Sequence, residues 1–120
     1  MSEPVNPEDQ LIINITPLDA IKLIENSSND HEFILIDLRT PKEFSKGHVE
    51  GAENLDYYAD DFKKQLDEMD KDKKYIIYCG SGVRGTKTSK IMMDMGFMEV
   101  YNILGGFAGW KITKLPVAKE

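Results

Sequence analysis

Cys79 is the chain's single cysteine, and three glycines and an arginine follow it closely: Gly80, Ser81, Gly82, Val83, Arg84, Gly85. The surrounding run YIIYCGSGVRGTKTSK (75–90) reads as an apolar strand, a glycine-rich loop and the start of a helix. At a cysteine the thiolate is the nucleophile, and helix N-termini and nearby cations lower a thiol pKa from about 8.5 toward 7 or below. Glycines let a loop adopt backbone angles that turn successive N–H groups inward as an anion-binding nest. The helix that follows adds its dipole and its unpaired first-turn donors. Arg84 supplies a permanent positive charge with a planar set of donors. Such a loop would stabilise a thiolate, a bound anion or a terminal sulfane sulfur on Cys79. Ser81 either donates a hydrogen bond to a bound substrate or simply fits the loop. A lone cysteine after an apolar strand is by default an inert core residue. The glycines, the arginine and the helix start reverse that default, because an inert cysteine needs no loop of donors around it.

The lone thiol also sets limits. An intramolecular disulfide is impossible, and no second cysteine of this chain can resolve an intermediate on the first. One free cysteine suits a reducing compartment, so a cytoplasmic location is expected. One Cys with His31 and His48 does not make a Cys-rich zinc site, so neither a metal nor another cofactor is expected. His48 lies in a Gly-His turn context, where holding backbone by hydrogen bonds is favoured over general-base work. Asp37 and Arg39 either order the site from a neighbouring strand end or form a structural pair; buried charges are usually paired, which favours the second reading. Trp110 reads as core packing. Met92, Met93, Met95 and Met98 read as gap-filling on a helix face, with a docking surface as the alternative.

These residues need elements to hold them. Residues 1–10 read as a flexible N-terminal arm and 11–120 as a single domain, with no repeat or low-complexity segment. Strands are expected at Leu11–Ile15, Phe33–Asp37, Ala52–Leu55, Tyr75–Tyr78 and Val100–Leu104. The nearly continuous apolar runs at 33–37 and 75–78 fit strands covered on both faces of a parallel sheet. Thr16-Pro17 opens a helix to Asn26, with Thr as cap and Pro in the first turn. Thr40-Pro41-Lys42-Glu43 has capping-box spacing for a short helix. Further helices are expected at Asp60–Met69 and at Thr86–Met95, the latter ended by Gly96, and Gly105-Gly106 turns into a short segment ending near Trp110. Strands alternating with helices predict an α/β fold built on a five-stranded, mainly parallel sheet with helices on both faces.

Bulk properties exclude several classes. The chain has 120 residues, enough for one domain with a real core, and is 41% hydrophobic and 30% charged. Its formal net charge of −6 argues against a nucleic-acid partner. No apolar run approaches the roughly 20 residues of a membrane helix, so no membrane association is expected. The N-terminal MSEPVNPEDQ lacks the basic start and apolar stretch of a signal peptide. Basic residues gather at Lys71, Lys73 and Lys74 and again at Arg84, Lys87 and Lys90. A strand separates the two groups by about 15 Å, so only the second can act near Cys79.

Four segments carry a family resemblance. They are Ile36-Asp37-Leu38-Arg39; Glu43-Phe44-x3-Gly47-His48-x2-Gly51-Ala52-x-Asn54; Cys79-x4-Arg84 after YIIY; and Gly105-Gly106-x3-Trp110. In that order and spacing the chain resembles the rhodanese family over Ile12–Val117. The resemblance implies a central parallel sheet flanked by helices, with sulfur transfer through a persulfide on Cys79 inside the loop Gly80–Arg84. Thiolate Cys79 would take sulfur from a small anionic donor such as thiosulfate, or from a protein persulfide, and pass it to an outside acceptor; Arg84 would draw in the anionic donor. The alternative is a rhodanese-like carrier or docking module that works only within a partner complex. The related cell-cycle phosphatases resemble Cys-x5-Arg, a loop one residue longer and sized for phosphate, with His before the cysteine. Here the spacing is Cys-x4-Arg and Tyr78 precedes Cys79, which disfavours a phosphatase or arsenate-reducing activity.

Overall fold

The computed structural model describes residues 5–119. In chain order the elements are β1 Leu11–Ile15, α1 Pro17–Asn26, β2 Phe33–Asp37, α2 Pro41–Ser45, β3 His48–Val49, β4 Glu53–Asn54, α3 Phe62–Asp67, β5 Lys74–Tyr78, α4 Val83–Met95, β6 Glu99–Ile103, α5 Gly106–Ile112 and β7 Val117–Ala118. Five strands form one sheet in the order β1-β6-β5-β2-β4, and each neighbouring pair is parallel. The α/β architecture expected from the alternating pattern is the one observed. A small antiparallel pair, β3 with β7, was not foreseen. Two residues per strand leave no periodic signal to read.

Local chemistry accounts for the helix starts. Thr16 accepts a hydrogen bond from the Asp19 N–H at 3.1 Å, with Pro17 next in line. Thr40 and Glu43 form a reciprocal capping box around α2. By contrast Asp61, ahead of α3, makes no side-chain cap bond, and that helix spans only Phe62–Asp67 rather than the expected Asp60–Met69. Helix α4 begins at Val83 rather than Thr86, which draws Val83, Arg84 and Gly85 out of the loop and into its first turn.

The pleat sorts side chains into two cores. Tyr75 and Ile77 of β5, with Cys79 just after it, enter a cluster with Phe62 and Leu66 of α3 and Met92 of α4. Ile76 and Tyr78 enter the opposite cluster with Ala20 of α1 and Phe107 and Trp110 of α5. Helices therefore cover both faces, and β5, flanked by β2 and β6, is interior to the sheet. Phe97 is fully buried edge-on to Tyr75 at 5.3 Å between ring centroids; burying a side chain of that size contributes about 1.5–3 kcal/mol. Trp110 is core, and its indole N–H is satisfied by the Pro116 carbonyl at 2.8 Å. Met92 is buried whereas Met93 is 41% exposed.

Of the arm expected over residues 1–10, residues 1–4 lie outside the described residues. The rest is tied down: Asn6 caps a 3-10 turn at Pro7–Asp9, and the Gln10 amide donates to the Met93 and Phe97 carbonyls at 2.9 and 2.8 Å. These carbonyls lie at and just past the end of α4, where helical partners run out.

Candidate active site

Cys79 follows the last residue of β5, at the carboxyl edge of the sheet, where open α/β sheets place their sites. Its Sγ accepts hydrogen bonds from the Gly82 N–H at 3.1 Å and the Gly85 N–H at 3.2 Å. Gly82 occupies the N-cap position of α4 and offers no side-chain cap of its own. The sulfur therefore takes the place a capping oxygen would hold, against otherwise unpaired first-turn donors. This is an environment for negative charge on sulfur, because N–H groups and the helix dipole both favour an anion there. The side chain is only 1% exposed.

The loop faces inward because its carbonyls are fastened outward. The Phe107 N–H donates to the Cys79 carbonyl at 2.7 Å and the Ala108 N–H to the Gly80 carbonyl at 3.0 Å. Both donors belong to the first turn of α5. That close approach requires glycine at position 106: a Cβ there would collide with the Cys79 carbonyl, and φ is +58°. Gly82 also needs its freedom, with φ at +113°.

Arg84 does not stand free at the mouth. Its guanidinium pairs with Glu43 of α2, Nη1 to Oε1 at 3.1 Å and Nη2 to Oε2 at 3.3 Å, a two-pronged contact. The Tyr58 ring lies 5.5 Å from its Cζ. Hydrogen bonding to Arg84 is the largest influence on Glu43 and takes its carboxyl down to about 2. Glu43 in turn raises the Arg84 pKa further. A Cβ at Gly80 would lie 3.0 Å from Arg84 Nη2, so a side chain there would make the guanidinium shift by a few tenths of an ångström.

Asp37 and Arg39 form a buried pair one strand away. Arg39 donates from its backbone N, Nε and Nη2 to the Asp37 carboxylate at 2.8 to 3.1 Å, and from Nη2 to the Gly47 carbonyl at 2.6 Å. The Tyr78 hydroxyl donates to Asp37 at 2.7 Å and accepts from the Val49 N–H at 3.0 Å. Burial and then the Asp37 charge push the Tyr78 phenol far above its usual range. Burial alone would weaken the charge on Arg39, but its hydrogen bonds and charge contact with Asp37 outweigh that and raise its pKa. The network stitches β2, β3 and β5 together beside the loop. His48 is buried, stacks on Phe44 at 3.8 Å and contacts the Phe44 carbonyl through Nδ1 at 2.9 Å.

Of the residues singled out by sequence, Cys79, Gly82 and Gly85 converge on the sulfur. Ser81 and Val83 are exposed on the outer side, lining with Lys87 and Leu104 an open recess of about 400 Å³. Sequence reasoning passed over Glu43 as a partner of Arg84, because 41 residues separate them and its capping-box role accounts for it locally. It also passed over the α5 N–H groups, whose signal was the Gly105-Gly106 pair.

The family model for the Rhodanese-like domain matches residues 16–113. The chain belongs to the rhodanese-like family. It is 32% identical over 109 residues to a thiosulfate sulfurtransferase GlpE of Glaesserella parasuis, covering 91% of this chain and 95% of that one. It is 28% identical over 103 residues to a sulfurtransferase of Allochromatium vinosum, covering 86% and 94% of the two chains. Among solved structures, a rhodanese-related protein from Thermoplasma volcanium superposes with a TM-score of 0.73 at 20% identity, over 89% of this chain and 98% of that one. Among the described residues no helix is long and apolar enough to cross a membrane.

Proposed function

We propose that the protein is a sulfurtransferase that carries sulfane sulfur on Cys79. The observation that carries this reading is the Cys79 sulfur held by the Gly82 and Gly85 N–H groups at the start of α4. The relatives named as sulfurtransferases over nearly their whole length support the same reaction class.

With thiosulfate, the Cys79 thiolate attacks the outer sulfur, a new S–S bond forms, and the old one breaks with its electron pair leaving on sulfite. The product is a persulfide anion on Cys79, whose charge the first-turn N–H groups of α4 stabilise. A thiophilic acceptor such as cyanide, a small thiol or a protein cysteine then attacks the outer sulfur and releases the Cys79 thiolate. No second cysteine is required in this chain, because the acceptor comes from outside. A reducing cytoplasm suits a working thiol of this kind.

The test is thiocyanate formation from thiosulfate and cyanide alongside hydrolysis of an aryl phosphate. Thiocyanate production that disappears in Cys79→Ser, with no Cys79-dependent phosphate release, is the expected outcome. Robust aryl phosphate turnover requiring Cys79 would overturn the assignment in favour of a phosphatase.

A further inference from the structure

The Glu43–Arg84 pair has a consequence for the choice of donor. Arg84 is the cation in the first turn of α4, yet two of its donor nitrogens are already committed to Glu43. The exposure of the pair is lopsided: the Glu43 side chain is 39% exposed and that of Arg84 16%. An anion approaching from solvent therefore meets the carboxylate before the guanidinium. Neither partner swings aside easily. Glu43 Oε1 also accepts from the Thr40 backbone N–H at 3.0 Å and from the Thr40 hydroxyl at 3.1 Å. Arg84 is held by both nitrogens of its two-pronged contact with Glu43, its Cζ 5.5 Å from the Tyr58 ring. Arg84 and Thr40 hold the Glu43 carboxyl at about 2, so it is ionised near neutral pH.

We propose that Glu43 is a specificity-determining residue for the sulfur donor: by neutralising Arg84 at the mouth of the loop, it disfavours a small dianion such as thiosulfate relative to an organic persulfide. This rests on the sulfurtransferase reading. An alkyl persulfide brings at most one negative charge to the site, against two on thiosulfate. The Cys79 thiolate attacks the outer sulfur of the protonated form, the S–S bond breaks, R–S⁻ leaves with the electron pair, and the new persulfide on Cys79 gives its proton to solvent. With the charge of Arg84 offset by Glu43, the main favourable field for either donor is that of the N–H groups around Cys79, whose helix-end partial charge is about half an elementary charge. That suffices for a monoanionic persulfide on Cys79 but does not offset a dianion passing a carboxylate.

The experiment compares wild type with Glu43→Gln. Glutamine is the other residue that fills the third position of a capping box, so α2 keeps its start. Rates of sulfur loading on Cys79 are measured with thiosulfate and with an alkyl persulfide whose alkyl group is uncharged, at low and high salt. The expected result is a thiosulfate-to-persulfide rate ratio about tenfold higher in Glu43→Gln, through a lower KM for thiosulfate, because one unit charge near a partly exposed site has been removed. The gain should shrink as salt rises. Inorganic sulfate, as an unreactive dianion, should inhibit persulfide loading more tightly in the variant by a similar factor. If both proteins load from the persulfide but the ratio does not rise, Glu43 has no such role while the sulfur reading stands. If neither protein loads from either donor, both are overturned.

Discussion

A cysteine can be buried and still reactive when the atoms that bury it are donors. At Cys79 the contacts at the sulfur include two backbone N–H groups, donors of the kind that can hold negative charge. Glu43 is the corresponding case for a carboxylate. Its folded pKa of about 2 lies below the ordinary 4.5, chiefly through its bonds to Arg84. The folded state thus binds fewer protons than the unfolded one between those values. The stability this supplies is fully present above about pH 4.5 and is lost as pH falls toward 2. Wild type is therefore expected to lose its advantage over Glu43→Gln across that window in chemical denaturation; a gap that stays constant with pH would contradict the pairing. The thiol chemistry was legible from sequence because Cys79, its glycines and Arg84 are consecutive. The neutralisation of Arg84 was not, because its partner arrives from α2 and had a sufficient local explanation through Thr40.

At the scale of elements, the loop is shaped by two helix starts that act on opposite sides of one peptide segment. Helix α4 gives its first-turn N–H groups to the sulfur, and α5 gives its own to the carbonyls of Cys79 and Gly80. A peptide held by its carbonyl on one side is restrained from turning, which orders the donors before any substrate arrives. Gly106→Ala tests this. Its side chain would press on the Cys79 carbonyl at a φ of +58°, at a backbone cost of about 1–3 kcal/mol before the collision is counted. The expected outcome is lower stability by denaturant titration together with slower sulfur loading. Full loading speed in a destabilised Gly106→Ala protein would separate the loop from α5. The glycine pair was visible in the sequence as a turn. Its purpose was not, because that depends on bringing residue 106 against residue 79. The same limit hid β3 and β7, whose pairing joins His48–Val49 to Val117–Ala118 across most of the chain.

For the whole molecule, the parallel sheet and its alternation of faces do most of the positioning. Strands β2 and β5 followed from apolar runs at 33–37 and 75–78 and helices α1 and α2 from the caps at Thr16 and Thr40, all of them local signals. The order of the strands did not follow, since nothing in the sequence of β1 says that it lies beside β6. That order brings the ends of β2, β5 and β6 to one edge and packs the Asp37, Arg39 and Tyr78 network beside the loop, away from the basic residues that precede β5. Sulfur transfer by this protein requires that Cys79 hold a sulfur that an acceptor can remove. The direct measurement is the intact mass of the purified protein after incubation with thiosulfate, before and after cyanide. A gain of one sulfur atom that cyanide removes and that Cys79→Ser never acquires is the predicted result. The same gain in Cys79→Ser, or no gain in wild type with thiosulfate or with an alkyl persulfide, would contradict it.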